Sequence, residues 1–523
     1  MQSAKRWLFL VHRWLGIVVC AFFAMWFVSG VVMMYVGYPK LTPEERLQHL
    51  PPLQLERLSL GPREALDAAG IQGPLQDLRL ASASGGRAVY LATPARETRD
   101  AVPGRRRTPP GTGSVVIDAQ TGAVLREVTR AHVLASAAAF AGTGIALSYE
   151  DAIDEDAFTH SRALDAHRPL HRVQLADADA TRLYVSGKTG EVVRDAPRAE
   201  RWWNYAGAWI HWLYPFRGNV FNAYWSEIVN WLSIVGIAVT LTGTVVGVMR
   251  WRFTAVTYKS GSRSPYRGFM MRWHHITGLL FALVTLTWIF SGLMSMNPWR
   301  IFDSEASALR MEAMNGGPLS ITTAAASPQR LSAVLPASLR ELRWTRTAGQ
   351  TVVLASAVAG RPIMVDAESG RTHRIDPDVL RAAAARLVAA PVVRIDVLDR
   401  YDTHYYTRDT HTMTGGGEKP LPVWRVAFAD RARTWVHIDP ASGAVLGRTD
   451  SGRRLSRWLF AMLHSWDWLP LLERRPLWDV LMIVLSLGGT ALSMTGVVIG
   501  WRRLGRKLRP RSGVPAVARR AGR

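Results

Sequence analysis

The sequence predicts a polytopic α-helical membrane protein: four transmembrane helices arranged as a parallel internal repeat, with two α+β domains outside the membrane. Three observations carry this. Four stretches lack any charged residue over more than a bilayer's thickness, basic residues crowd beside particular ends of those stretches, and the chain matches itself at two fixed offsets.

No charged residue occurs between Arg13 and Lys40, Glu227 and Arg250, Arg272 and Arg300, or Asp479 and Arg502. Each gap exceeds the roughly 20 residues that a helix rising about 1.5 Å per residue needs to cross a bilayer. Helices are therefore expected within 1–37, 227–250, 273–297 and 479–501. The segments 38–226 and 298–478 become outer domains, each ending in a pre-membrane stretch, while 251–272 is a basic loop and 502–523 a basic tail. The first apolar stretch is longer than the core of a signal peptide and no small-x-small site closes it, so it is expected to be retained.

Of 523 residues, 48% are hydrophobic and 20% charged, a composition that disfavours disorder. A net charge of +23 would suit a nucleic-acid binder only if the basic residues lined one folded face. They lie elsewhere. Lys5, Arg6 and Arg13, then Arg250, Arg252, Lys259, Arg263, Arg267 and Arg272, then the nine from Arg502 onward account for eighteen of those 23 charges, in segments without one Asp or Glu. The positive-inside rule puts these segments and both termini in the cytoplasm and makes anionic lipid headgroups their partner, not nucleic acid.

Cys20 is the only cysteine, which excludes intramolecular disulfides, thiolate zinc sites, cysteine-ligated iron–sulfur clusters and covalent c-type haem. Neither G-x-G-x-x-G nor a full G-x-x-x-x-G-K-[ST] pattern marks a nucleotide site.

At an offset of 262, His12, Gly16, Trp26, Ser29 and Gly30 fall on His274, Gly278, Trp288, Ser291 and Gly292. At an offset of 253, Gly190, His211, Thr242-Gly243 and Gly247 fall on Gly443, His464, Thr495-Gly496 and Gly500. The chain thus reads as two copies of helix, outer domain, pre-membrane segment and helix, related about the membrane normal. A smaller motif recurs twice in each outer segment, ending at Gly122, Gly190, Gly370 and Gly443. An Asp or Ser four residues earlier can bond its own turn and the Gly supplies positive φ, so each reads as strand, turn, strand. Ala101 to Gly113, rich in Pro, Gly and Arg, reads as a mobile loop.

These motifs, His12-Arg-Trp-Leu-Gly16 with Ser29-Gly30, Trp273-His-His-Ile-Thr-Gly278 with Ser291-Gly292, Tyr401-Asp-Thr-His-Tyr-Tyr406, Leu421-Pro-Val-Trp424, Ile438-Asp-Pro-Ala-Ser-Gly443 and Leu463-His464, together resemble the PepSY-associated transmembrane-helix family. The resemblance spans nearly the whole chain except the Arg-rich tail. It implies PepSY-like periplasmic domains, a bacterial inner-membrane location, b-type haem, and reduction of a ferric siderophore for iron release.

The histidines can be argued separately. Of fourteen, five sit at or beside apolar stretches: His12, His211, His274, His275 and His464. An ionisable residue at membrane depth is costly without a partner, although an interfacial His bonding water or headgroups is the plain alternative. The repeat pairs His12 with His274 and His211 with His464, one pair at each side of the membrane. Two imidazoles on facing helices can ligate haem b through its iron. Levels eighteen residues apart on a helix lie roughly 27 Å apart, so two haems per chain are expected. Gly16 and Gly30 fall near the His12 face and leave room for a flat macrocycle, or simply allow close helix packing. Trp26 and Trp288 face the same way, as interfacial anchors or haem neighbours. His275, whose repeat partner is Arg13, can replace His274, bind a propionate or be structural.

Outside the membrane, Tyr401, His404, Tyr405, Tyr406 and His411 form either a solvated aromatic loop or a recess for a ferric chelate, with Trp424, Trp202 and Trp203 as walls. The leading expectation is a haem b electron-transfer protein reducing a periplasmic acceptor, a ferric siderophore first. Quinol, a soluble flavoprotein and a partner subunit stand as donors. The alternative is a non-catalytic PepSY sensor or peptidase regulator.

Overall fold

The computed structural model describes residues 2–95, 113–217, 220–408, 413 and 419–508. Most of the expected mobile loop, His411 and the tail beyond 508 lie outside these residues. The chain divides into a helical unit, Met1–Tyr35, Ala206–Phe302 and Leu455–Arg523, and an outer unit, Val36–Tyr205 and Asp303–Arg454.

The helical unit contains α1 (Gln2–Tyr35), α2 (Trp225–Arg250), α3 (Phe269–Leu280), α4 (Ala282–Ser295) and α5 (Leu477–Leu508). Three of these, α1, α2 and α5, are long and apolar enough to cross a membrane. The third expected span is not one straight helix, because α3 and α4 meet at a bend of 67°. The residue at the break, Phe281, has φ −105° and ψ 9°. Its ring lies against the α5 backbone at Gly488, where an added Cβ would collide with it. A side chain lodged between helices is a recognised cause of a sharp kink. Val19, Phe23 and Phe27 of α1 pack with Val239 of α2 and Ile289 of α4 to form the interior. The outward faces are apolar too: Val18, Leu283 and Leu487 are 60%, 72% and 62% exposed. A water-soluble bundle would carry polar residues there, so this is a surface suited to lipid.

The outer unit is built from fourteen strands among the described residues. They are β1 (Leu75–Ser84), β2 (Arg87–Pro94), β3 (Val115–Asp118), β4 (Leu147–Ile153), β5 (Leu170–Leu175), β6 (Arg182–Ser186), β7 (Val192–Ala196), β8 (Leu339–Thr347), β9 (Gln350–Ala357), β10 (Ile363–Asp366), β11 (Val392–Leu398), β12 (Val423–Phe428), β13 (Trp435–Ile438) and β14 (Val445–Thr449). Sheets β4-β5-β6-β7 and β11-β12-β13-β14 each come from one outer segment, but the third, in the order β10-β9-β8-β1-β2-β3, draws on both. The seam is antiparallel pairing of β1 with β8, from Leu78 opposite Trp344 to Ala81 opposite Glu341.

One core continues across this seam, with Leu66, Leu78, Tyr90 and Ile117 from the first segment and Leu331, Leu342, Trp344 and Val365 from the second. An ion cluster also crosses it. Arg79 bonds Glu191 at 3.2 Å and Glu341 at 3.3 Å, and Arg46 bonds Glu341 at 2.7 Å. Burial pushes the Glu191 carboxyl up, but Arg79 and Arg46 outweigh it and hold it below the usual carboxylate range. The expectation of one self-contained domain per outer segment is therefore revised. Backbone pairing, core and charges all join the two.

The recurring turn forms at all four places. Gly122, Gly190, Gly370 and Gly443 have φ of 74°, 72°, 70° and 68°. Each glycine N–H donates to the carbonyl of the Asp or Ser four residues back. Two of the turns lead into the strands β7 and β14, whereas the two after β3 and β10 return only through single bridges, Ile117 to Val124 and Val365 to Thr372.

Candidate functional site

Segments ahead of α2 and α5 prepare the outer histidines, and they do so alike. A turn of π-helix, Tyr205–Trp209 or Arg457–Met462, precedes His211 or His464. Two residues beyond each histidine a bulky side chain takes the left-handed conformation, Leu213 at φ 55° and Trp466 at φ 49°. Such a backbone is costly for a large residue and ends the helix there. The indole N–H of Trp225 donates to Trp212 O at 2.8 Å, and that of Trp478 donates to Ser465 O at 3.0 Å. Every one of these features recurs 253 residues later. π turns concentrate at functional positions, and these two present the histidines to α1 and α4.

The structure brings the four histidines together as two pairs. The ring centres of His12 and His274 are 6.3 Å apart, those of His211 and His464 6.1 Å. His211 meets α1 at Ser29, seventeen residues from His12, so the pairs are separated by roughly 25 Å along that helix.

Hydrogen bonds fix the tautomer of each ring. His12 Nδ1 lies 3.1 Å from Val239 O and His274 Nδ1 lies 3.2 Å from Leu492 O. A carbonyl only accepts, so both Nδ1 atoms carry the proton. Ser29 Oγ donates to Met25 O at 2.7 Å and therefore accepts from His211 Nδ1–H at 3.0 Å. Ser291 Oγ donates to Trp288 O at 3.0 Å and accepts from His464 Nδ1–H at 3.0 Å; Trp288 O also accepts from that N–H at 3.2 Å. All four rings thus keep the Nε2 lone pair, the arrangement in which a histidine ligates a metal while its other nitrogen is held by the protein.

His275 is the opposite tautomer. Its Nε2–H donates to Gly247 O at 2.9 Å, and its Nδ1 accepts from the Ser264 hydroxyl at 2.8 Å. Both nitrogens are occupied and the ring is 7% exposed, so His275 clamps the 251–268 loop to α2 and has no lone pair left for iron.

Haem b can be tested against this geometry. Two imidazoles on one iron at about 2 Å per bond put their ring centres roughly 6 Å apart. Both pairs meet that spacing. The glycines serve the rings more directly than expected. A Cβ at Gly243 would lie 2.5 Å from His12 Cε1, whereas one at Gly496 would meet Cys20 Sγ first, at 2.4 Å, and His274 Cε1 at 3.3 Å. Gly30 and Gly292 face His211 and His464 at 3.5 and 3.7 Å, while Gly16 and Gly278 face Val239 and Leu492. Trp26 is tied in by an N–H bond to His211 O at 2.9 Å. Ser29, Ser291, Gly243 and Gly496 stand out in the sequence only as repeat matches; what each does for a histidine ring depends on which helices meet.

The outer cluster resolves differently. Tyr405, Tyr406 and Trp424 are 3%, 8% and 5% exposed, so they are core residues and not walls of an open recess. Asp402 Oδ1 accepts from the backbone N–H of His404 and Tyr405, both at 2.9 Å, and from Arg425 at 2.8 Å. Burial pushes the Asp402 carboxyl up, and Arg425 with the turn N–H groups outweighs it, leaving it below the usual range. Tyr405 stacks on His437 at 4.9 Å, His404 meets the Trp435 edge at 5.5 Å, and Tyr401 donates to Lys419 O at 2.8 Å. The motif is a clamped turn. Burial pushes the Tyr405 hydroxyl up to about 12, and burial with Arg425 pushes His437 down to about 4. Trp202 and Trp203 follow the other sheet, after β7, and are 71% and 52% exposed. Among the described residues no group of three or more His, Cys, Asp or Glu side chains is placed to hold a metal.

Three helices long and apolar enough to cross a membrane, in a chain that also carries α+β sheets, define a membrane protein by class. The chain matches no protein-family model and no curated protein.

Proposed function

We propose that this protein is a haem b electron-transfer protein of the bacterial inner membrane that reduces a periplasmic acceptor, with a ferric siderophore as the first candidate. The observation that carries this reading is the protonation pattern. Four histidines in two facing pairs donate from Nδ1 and keep Nε2 free for a metal, while the neighbouring His275 does the reverse. On this reading the bent α3–α4 pair is the third of four spans, the repeat runs about the membrane normal, and the basic ends lie in the cytoplasm. The outer unit, PepSY-like by resemblance, lies in the periplasm.

His12 and His274 would hold one haem toward the cytoplasm, and His211 and His464 the other toward the periplasm. Haem supplies a one-electron ferric/ferrous couple when bound. The residues do the rest: Val239 O and Leu492 O orient the inner rings, Ser29 and Ser291 the outer ones, and the apolar interior keeps water away. For a ferric chelate as acceptor, gain of one electron weakens its hold on iron, because hard oxygen ligands favour the ferric ion.

The test is vectorial. Reduced protein in liposomes should be reoxidised by an impermeant ferric hydroxamate added on the side of the outer unit, and much less by one added on the basic side. His464→Ala should abolish this. A haem spectrum unchanged by chelate on either side, or purified protein without haem after expression with adequate haem, would remove the reading in favour of the sensor alternative.

A further inference from the structure

At the basic end of the helical unit, the start of α3 and the last turns of α5 line an open cavity of about 360 Å³, with Gly268, Phe269, Met271, Arg502, Arg503 and Arg506 among its residues. We propose that this cavity binds the phosphodiester of an anionic glycerophospholipid. The inference needs only the apolar helices and stands apart from the haem reading.

Three guanidinium groups form one wall. No Asp or Glu occurs in 250–272 or from 502 to the end of the chain, so the lining segments carry no carboxylate to neutralise them. Arg502 and Arg506 share one face of α5 by their spacing of four, and Arg506 Nε donates to Arg502 O at 3.2 Å. Arg503 Nε is buried with no hydrogen-bond partner among the described residues. Lys507, by contrast, is turned away to the Trp14 ring at 4.4 Å. The cavity floor adds to the charge. α3 is capped by Gly268 with no side-chain hydrogen bond, so its first-turn N–H groups and the positive end of its dipole are open to an anion. Forked guanidinium donors suit a phosphate better than a point charge would.

The rest of the lining is apolar: Phe269, Met270 and Met271 of α3 and Ile499 of α5. A free phosphate has no use for it. A glycerophospholipid does, since its glycerol and acyl ends must leave the headgroup toward apolar surface. Phe269, Trp273 and Trp501 stand 68%, 45% and 78% exposed around this end, the placement of aromatic side chains at a membrane interface.

The full chain, purified in neutral detergent, can be tested by native mass spectrometry with phosphatidylglycerol, phosphatidylcholine or inorganic phosphate. Phosphatidylglycerol should be retained. Replacing all three arginines, Arg502→Gln with Arg503→Gln and Arg506→Gln, should weaken its retention on the order of a hundredfold, from the usual contribution of each basic residue near a lipid surface. The triple Arg→Lys variant, which keeps charge but loses the fork, should fall between. Equal retention of phosphatidylcholine would overturn the proposal, and so would displacement by equimolar inorganic phosphate. Haem content, read in parallel, should not change; loss of the haem held by His12 and His274 would reassign the arginines to its carboxylates and overturn the lipid site.

Discussion

Gly243→Ala is a one-methyl change whose effect on the inner pair can be worked out. The added carbon would sit 2.5 Å from His12 Cε1 and 2.9 Å from Nδ1. Non-bonded carbons rest at about 3.5 Å or more, so the ring must retreat by about 1 Å. Metal–nitrogen distances tolerate only about 0.2 Å, and Val239 O anchors the same ring at 3.1 Å, so the ring cannot satisfy the methyl, the carbonyl and an iron together. On the proposed haem reading, haem bound per chain, measured as the pyridine haemochrome, should fall from about two to about one. The bands of the outer haem should survive, because that pair lies roughly 25 Å away. Global unfolding is not the explanation to fear, since Gly→Ala within a helix favours helix by about 1 kcal/mol. Gly30→Ala and Gly292→Ala are the controls, with contacts of 3.5 and 3.7 Å to the outer rings, and both should keep two haems. Full haem content in Gly243→Ala beside a loss in Gly30→Ala would refute the reasoning.

Three more outcomes are expected. His274→Ala should lose the inner haem and His275→Ala should keep both, at a cost of about 1–3 kcal/mol in stability from the hydrogen bonds left unmade; a haem lost only from His275→Ala would reverse the ligand assignment. Ser29→Ala and Ser291→Ala should each loosen the outer haem about 10–100-fold in transfer to apomyoglobin, since each hydroxyl accepts from the Nδ1–H of its histidine; unchanged transfer in both would count against the tautomer argument. Burial lowers the pKa of His132, His167 and His171 as well as that of His437, which falls to about 4. The unfolded chain therefore takes up protons first, so the outer unit's stability is full above about pH 6.5 and declines as the pH falls toward 4. Thermal melts of the whole protein that are flat between pH 7 and 4.5 would contradict this.

Much of this was legible because the relevant signals are local or repeated. Absence of charge marks α1, α2 and α5 directly. The offsets of 262 and 253 pick out the four paired histidines without any knowledge of their geometry, and the glycine at the end of each turn motif announces its positive φ. The bend at Phe281 was not legible. The sequence there contains neither proline nor a glycine pair, and the ring that lodges there finds its space at Gly488, some 200 residues away. Leu213 and Trp466 gave no warning either, since nothing about a leucine or tryptophan forecasts a left-handed backbone. Trp424 was misjudged because β12 is buried on both faces, which removes the alternation that separates core from surface along a strand.

The β1–β8 seam has a consequence for biosynthesis. Its paired residues, such as Ala81 and Glu341, are about 260 residues apart in the chain. At roughly 5–20 residues per second the ribosome takes on the order of 13–50 s to cover that distance. Throughout that interval β1 has β2 on one side and a bare row of N–H and C=O groups on the other, with Arg79 lacking its Glu341 partner. An uncovered edge is a template for mispairing. Covering that edge is therefore a late event of synthesis, completed only when the chain beyond α4 supplies β8.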